Sequence, residues 1–114
     1  MNAVINADQA IFTLINTFDV DVDRSSAVVE SLREFTERVS RDLSGFASAS
    51  VHVSLDRTRV VNYVQWRSEQ DFAAMFRMPE AQAHMREVSV LAKQVTPVFY
   101  SVSYVGVRQA AEAG

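Results

Sequence analysis

The amino-acid sequence predicts an α+β sandwich with the element order β-α-β-β-α-β. Three observations carry this expectation. Stretches rich in β-branched and aromatic residues recur at 10–20, 46–55, 59–67 and 98–107. Apolar residues at helical spacing fill the intervals 25–42 and 69–95. The chain has 114 residues, 48% hydrophobic and 22% charged, which suits one domain with a real core.

Each element has its own signal. "AIFTLINTFDV" (10–20) reads as the first strand, and "DVDRSS" (21–26) supplies helix-start residues. Val28, Leu32, Phe35 and Val39 then mark one buried helical stripe within 25–42. "LSGF" (43–46) is the stop, with Gly45 expected as a left-handed cap. "FASASVHVSL" (46–55) is the second strand, "DRT" (56–58) a hairpin turn, and 59–67 the third strand. Ser68 is expected to cap a helix through "SEQDF", and Pro79 to start another, "PEAQAHMREVSVLAKQV". Pro97 is read as closing the helical region, with the fourth strand at 98–107. The domain is placed at 10–107, between an N-terminal segment 1–9 and a tail 108–114, both expected to be flexible. This order makes a ferredoxin-like sandwich the leading architecture: a four-stranded antiparallel sheet with helices on one face.

Composition narrows the function. Net charge is −3, and the basic residues are scattered, which disfavours nucleic acid as a partner. The absence of cysteine removes disulfides, thiol catalysis and Cys-based metal sites, and fits a cytoplasmic location. No signal peptide or membrane-spanning stretch is evident, so no membrane partner is expected. The second sheet face would carry Val61, Tyr63 and Gln65 with Phe99, Val105, Val51 and Val53. That face is too apolar for water, and a face-to-face homodimer would cover it.

Alternation along the strands groups Phe12, Leu14, Asn16 and Phe18; Phe46, Ser48, Ser50, His52 and Ser54; Val60, Asn62, Val64 and Trp66; and Val98, Tyr100, Val102 and Tyr104. If these sets share one face, amides, an imidazole, an indole, phenols and hydroxyls converge there. A plain core would hold Val, Ile and Leu. The combination describes an aromatic-walled cavity with a few placed polar groups, as small-molecule sites have. Asn62 and Trp66, about 13 Å apart at strand rise, would flank a planar molecule. Phe72, Met75 and Phe76, with His84, Met85 and Arg86, would close it. Taken singly, each residue has an ordinary structural role: Trp66, Phe72 and Met75 as core, Asn62 bonded to backbone, Arg86 paired with Glu87 or Glu30.

"GF.SAS.H.S.D.TRVVNYVQW.SEQDF" (Gly45 to Phe72), with "AQAHMREV" (81–88), resembles the antibiotic biosynthesis monooxygenase family over roughly residues 10–105. The nearest resemblance is to its small cofactor-independent members that oxidise anthrone-type polyketides to quinones. It implies a dimeric α+β barrel, O₂ and an aromatic small molecule as substrates, and no cofactor. It places Asn62 and Trp66 in the oxygenation site, with His52 and Arg86 at pocket positions. Asn62 would hold a developing anion or peroxide, the Trp66 indole would donate to it, His52 would move protons, and Arg86 would balance charge. Asn16, Met75, Phe76, Tyr100 and Tyr104 join Phe72 as expected substrate contacts.

One departure stands out. The quinone-forming relatives carry a tyrosine where this chain has Phe72, which cannot donate a proton. Tyr100 or Tyr104 substitutes for it, the step is dispensable, or the reaction differs. A second implied reading is haem binding and degradation, with His84 as axial ligand and Asn16 and Trp66 beside it. A third is a dimeric aromatic-ligand binder without turnover.

Overall fold

The structure, a computed structural model, describes residues 11–109. The expected segment 1–9 and most of the expected tail lie outside that range. The first strand, β1 (Phe12–Asp19), alternates Leu14, Asn16 and Phe18 toward the helices with Thr13, Ile15 and Thr17 on the opposite face. Helix α1 (Ser25–Arg38) follows a short 3₁₀ turn and buries Val28, Leu32 and Phe35, the stripe read from the sequence. Strands β2 (Phe46–Val53) and β3 (Arg59–Trp66) form the hairpin. Helix α2 (Glu69–Phe76) starts at Ser68, whose Oγ accepts from the Asp71 N–H at 3.1 Å. Helix α3 (Pro79–Leu91) has Pro79 at its first turn, and β4 (Gln94–Ser101) completes the sheet.

The strand order is β2-β3-β1-β4, with every neighbouring pair antiparallel. This is the expected ferredoxin-like arrangement, and α1, α2 and α3 cover one face. The buried core has two parts. Phe18, Val20, Val28, Leu32, Val60 and Val88 form one. Phe35, Val39, Val64, Trp66, Met75 and Ala81 form the other.

Three local expectations are corrected. Gly45 is not a left-handed cap. Helix α1 ends at Arg38 and passes through a 3₁₀ turn, Ser40–Asp42. Gly45 is required because a Cβ there would overlap the Asp71 side chain. The last helix stops at Leu91, so Pro97 closes nothing: it sits inside β4, opposite Asn16. Because β4 is an edge strand, a missing N–H on its open side costs no ladder hydrogen bond. The fourth strand therefore begins and ends earlier than expected, and Val102, Tyr104 and Val105 lie beyond it.

The third correction concerns faces. A bulge between Phe46 and Ser48 adds a residue to β2 and reverses its alternation. Phe46, Ala49, Val51 and Val53 register with the helix-side residues of β3, whereas Ser48, Ser50 and His52 lie on the other face. On β4, Pro97 and Phe99 register with Asn16 and Leu14, and so Val98 and Tyr100 point away from the helices. Val51, Val53 and Phe99 thus leave the outer face assigned to them.

Candidate active site

Between the sheet and the helices lies a cavity of about 320 Å³, at the lower end of small-molecule sites. It sits where the two parts of the core meet. Leu14, Asn16 and Phe18 of β1, Asn62, Val64 and Trp66 of β3, and Pro97 and Phe99 of β4 form its floor. Leu32, Phe35 and Thr36 of α1, Phe72, Met75 and Phe76 of α2, and Ala81, His84, Met85 and Val88 of α3 form its walls, with Ser40 beside them.

Two of the polar groups face each other across the ladder. Asn16 pairs with Asn62 in the β1–β3 register, on the helix-side face. The Oδ1 atoms of both amides, and Nε1 of Trp66, are sealed from solvent and have no hydrogen-bond partner among the described residues. Asn16 is 7% exposed and Trp66 0%. An unpaired buried polar group costs about 1–3 kcal/mol, so three of them around one cavity point to a ligand that supplies the missing partners.

An aromatic cluster closes one side. The Phe72 ring stacks on Phe76 at 5.6 Å and meets Phe99 edge-on at 5.2 Å. It also tilts against Phe12 at 5.6 Å and approaches Trp66 at 6.4 Å. Phe46 packs edge-on to the indole at 5.5 Å. These contacts fix the indole plane through shape alone.

His84 forms part of the opposite wall. Its ring lies flat on Phe35, with centroids 4.4 Å apart and planes 8° from parallel. Its Nδ1 is 3.5 Å from Ser31 Oγ, a long contact. Burial holds its pKa well below the usual histidine value, down to about 4. The nearby Arg38 charge adds to this and Glu34 opposes it. His84 is therefore neutral at physiological pH.

Of the residues expected at the site, Asn16, Asn62, Trp66, Phe72, Met75, Phe76 and His84 line the cavity. Four expected residues do not. His52 is on the outer face, where its Nε2 is 2.9 Å from Ser50 Oγ. Arg86 is exposed on α3. Tyr100 faces away from the helices, and Tyr104 is 82% exposed beyond β4. Neither tyrosine stands in for the hydroxyl that Phe72 lacks. Sequence reasoning missed Phe35, Thr36 and Ser40 of the first helical region, and Pro97 and Phe99 of β4. The apolar stripe of α1 reads the same whether it packs against a filled core or a hollow one. The run Val95–Phe99 could have signalled an earlier strand.

The residues do not fit haem. Among the described residues, no arginine or lysine lines the cavity to receive propionates, and the volume is small for a porphyrin. Among the described residues, no group of three or more His, Asp or Glu side chains is disposed to hold a metal ion.

The sequence profile of a family described as antibiotic biosynthesis monooxygenase matches residues 11–87. The chain belongs to this family. It is 37% identical over 102 residues to the tetracenomycin-F1 monooxygenase of Streptomyces glaucescens, covering 90% of each chain. Among solved structures it is similar to a monooxygenase from the gene ActVA-Orf6 of Streptomyces coelicolor, in complex with the ligand nanaomycin D. There the TM-score is 0.77 and the identity 29%, over 92% of this chain and all of the other. A putative antibiotic biosynthesis monooxygenase from Nitrosomonas europaea shares the fold, with a TM-score of 0.73 at 22% identity, over 84% of this chain and 93% of that one. As a family member with a named monooxygenase relative along most of its length, the protein is a monooxygenase. No described helix is long and apolar enough to cross a membrane.

Proposed function

We propose that the protein oxidises an anthrone-like polycyclic aromatic to a quinone with O₂ and without a cofactor. The observation that carries this reading is the apolar, aromatic-walled cavity lined by Asn16, Asn62 and Trp66, each of which holds a buried polar atom with no partner among the described residues. A planar ring system suits such a space, and its oxygen substituents can pair with the amides and the indole that line it. The curated relative named for tetracenomycin F1 and the solved neighbour holding nanaomycin D support a small-molecule substrate of this kind.

The chemistry can be supplied by the substrate. The central CH₂ of an anthrone is acidic because the resulting anion is delocalised. The anion passes one electron to O₂, and the radical pair recombines to a peroxide. Loss of water leaves a carbonyl, so CH₂ and O₂ become C=O and H₂O. The protein must favour the anion, exclude bulk water and hold the peroxide. The Asn62 side-chain N–H and the Trp66 N–H donate to the developing charge, Asn16 orients the substrate, and Phe72, Met75 and Phe76 pack its faces.

The proposal extends to assembly and location. The outer sheet face carries Ile15, Val61, Tyr63, Val98 and Tyr100, the last two 41% and 48% exposed. A homodimer formed through this face would cover them, and a cytoplasmic location fits the cysteine-free sequence. The chemical reading is tested by oxygen uptake with anthrone. Trp66→Phe and Asn62→Ala should each slow uptake by at least about 100-fold, the scale of a lost transition-state hydrogen bond, with the fold intact by circular dichroism. Unchanged rates in both would reject the site. Tight binding without oxygen uptake by the unmodified protein would make it a ligand-binding module.

A further inference from the structure

Proton removal from the substrate needs a base, and the cavity offers one. Among the described residues that line it, His84 alone has a titratable side chain. Phe72 has no hydroxyl, and Tyr100, Tyr104, His52 and Arg86 all lie elsewhere. Stacking on Phe35 holds the imidazole at one angle, and Ser31 Oγ, on a buried serine, lies beside Nδ1. Nε2 has no hydrogen-bond partner among the described residues. With Nδ1–H donating to Ser31 Oγ, Nε2 keeps its lone pair for the substrate.

Building on the oxygenase reading above, we propose that His84 is the general base that takes the proton from the substrate's acidic CH₂. The C–H bond breaks, the proton bonds to Nε2, and the electron pair spreads into the ring system as an enolate. After O₂ adds, the imidazolium returns its proton to the peroxide anion. Neutral His84 then removes the second C–H proton as the O–O bond breaks and hydroxide leaves, and the two combine as water. His84 thus removes both C–H protons, returns both, and ends as it began.

The surroundings suit this role. From α1, the charged groups near His84 are Arg38 and Glu34, which pair with each other at 3.7 Å. The cavity residues of β1, β3, β4 and α2 carry no titratable group. An enolate formed there would find the new imidazolium as its counter-charge. Burial leaves the resting imidazole unprotonated but weakens it as a base; the enolate's negative charge beside it would offset that loss as the proton is transferred.

The test separates proton removal from oxygen chemistry. Under anaerobic conditions in D₂O, exchange of the anthrone CH₂ protons is followed by NMR against a protein-free control. The unmodified protein should accelerate exchange. His84→Gln and His84→Ala should each lose at least about 100-fold of it, the usual contribution of a positioned base, and added imidazole should restore exchange in His84→Ala. Exchange within about threefold of the unmodified rate in either variant overturns the assignment, as does a loss that imidazole does not restore. Ser31→Ala, which frees the tautomer, should lower exchange less than His84→Gln does; a larger loss would place the base elsewhere. Oxygen uptake indifferent to His84 would leave the oxygenase reading standing and remove the base. Exchange without any oxygen uptake would do the reverse.

Discussion

Replacing Asn62 or Asn16 by leucine should make the protein more stable and less active. Leucine has the branching of asparagine at Cγ and about the same length. Both amide oxygens are sealed from solvent and have no partner among the described residues. Each therefore carries an uncompensated desolvation penalty of about 1–3 kcal/mol. An apolar replacement removes that penalty and adds contact with Leu14 and Val64, which line the same cavity. For a domain of this size, about 4 °C in Tm accompanies each kcal/mol, so either variant should melt roughly 4–12 °C higher. Oxygen uptake should fall by about 100-fold or more for Asn62→Leu, because a group serving developing charge is gone. For Asn16→Leu the loss should appear mainly in KM, since its role is orientation. Thermal melts by circular dichroism and oxygen-electrode kinetics on the same samples read both effects. A stability loss of about 1 kcal/mol or more in both variants would refute the reasoning, because the amides would then be bonded structural groups.

The sequence disclosed the α1 stripe, the Ser68 cap, the Pro79 helix start and the alternation of β1 and β3, because each is a local pattern with a local cause. Asn16, Asn62 and Trp66 were found for that reason. His52 was misplaced because one extra residue at the β2 bulge reverses every side chain after it, and a bulge in "FASAS" leaves no compositional mark. Tyr100 and Phe99 exchange faces relative to expectation because Pro97 lies within β4 and does not bound it. Its true setting, an edge strand with no partner on one side, depends on the strand order and not on the neighbouring residues. The cavity between the two halves of the core is likewise a property of assembly: Phe35 and Leu32 show the same helical spacing whether or not space remains beside them.

Three further outcomes follow from the fold. Gly45→Ala should destabilise the protein by about 1–3 kcal/mol, as overpacking does, because the new Cβ would displace Asp71, the partner of the Ser68 cap; urea midpoints check this. Ser68→Ala should lose only about 1 kcal/mol, the value of a cap, in the same assay. Stability should fall as pH drops from about 6.5 toward 4: the unfolded chain binds a proton at His84 through this window while the folded protein resists it. Unfolding across this range should show that slope, and His84→Gln should flatten it. Asp56, held down to about 2 by Thr58 and Ser54, adds its own loss only below its ordinary value of 3.8.

As proposed, this family member inserts oxygen from O₂ into an anthrone-like substrate with no cofactor. The most direct measurement is turnover of anthrone under ¹⁸O₂ by protein freed of metal, flavin and haem, with mass spectrometry of the quinone. Uptake should be one O₂ per substrate, with one ¹⁸O atom in the new carbonyl when the product is trapped before exchange with water. No uptake, uptake only after haem or flavin is added, or a carbonyl oxygen drawn from water would contradict it.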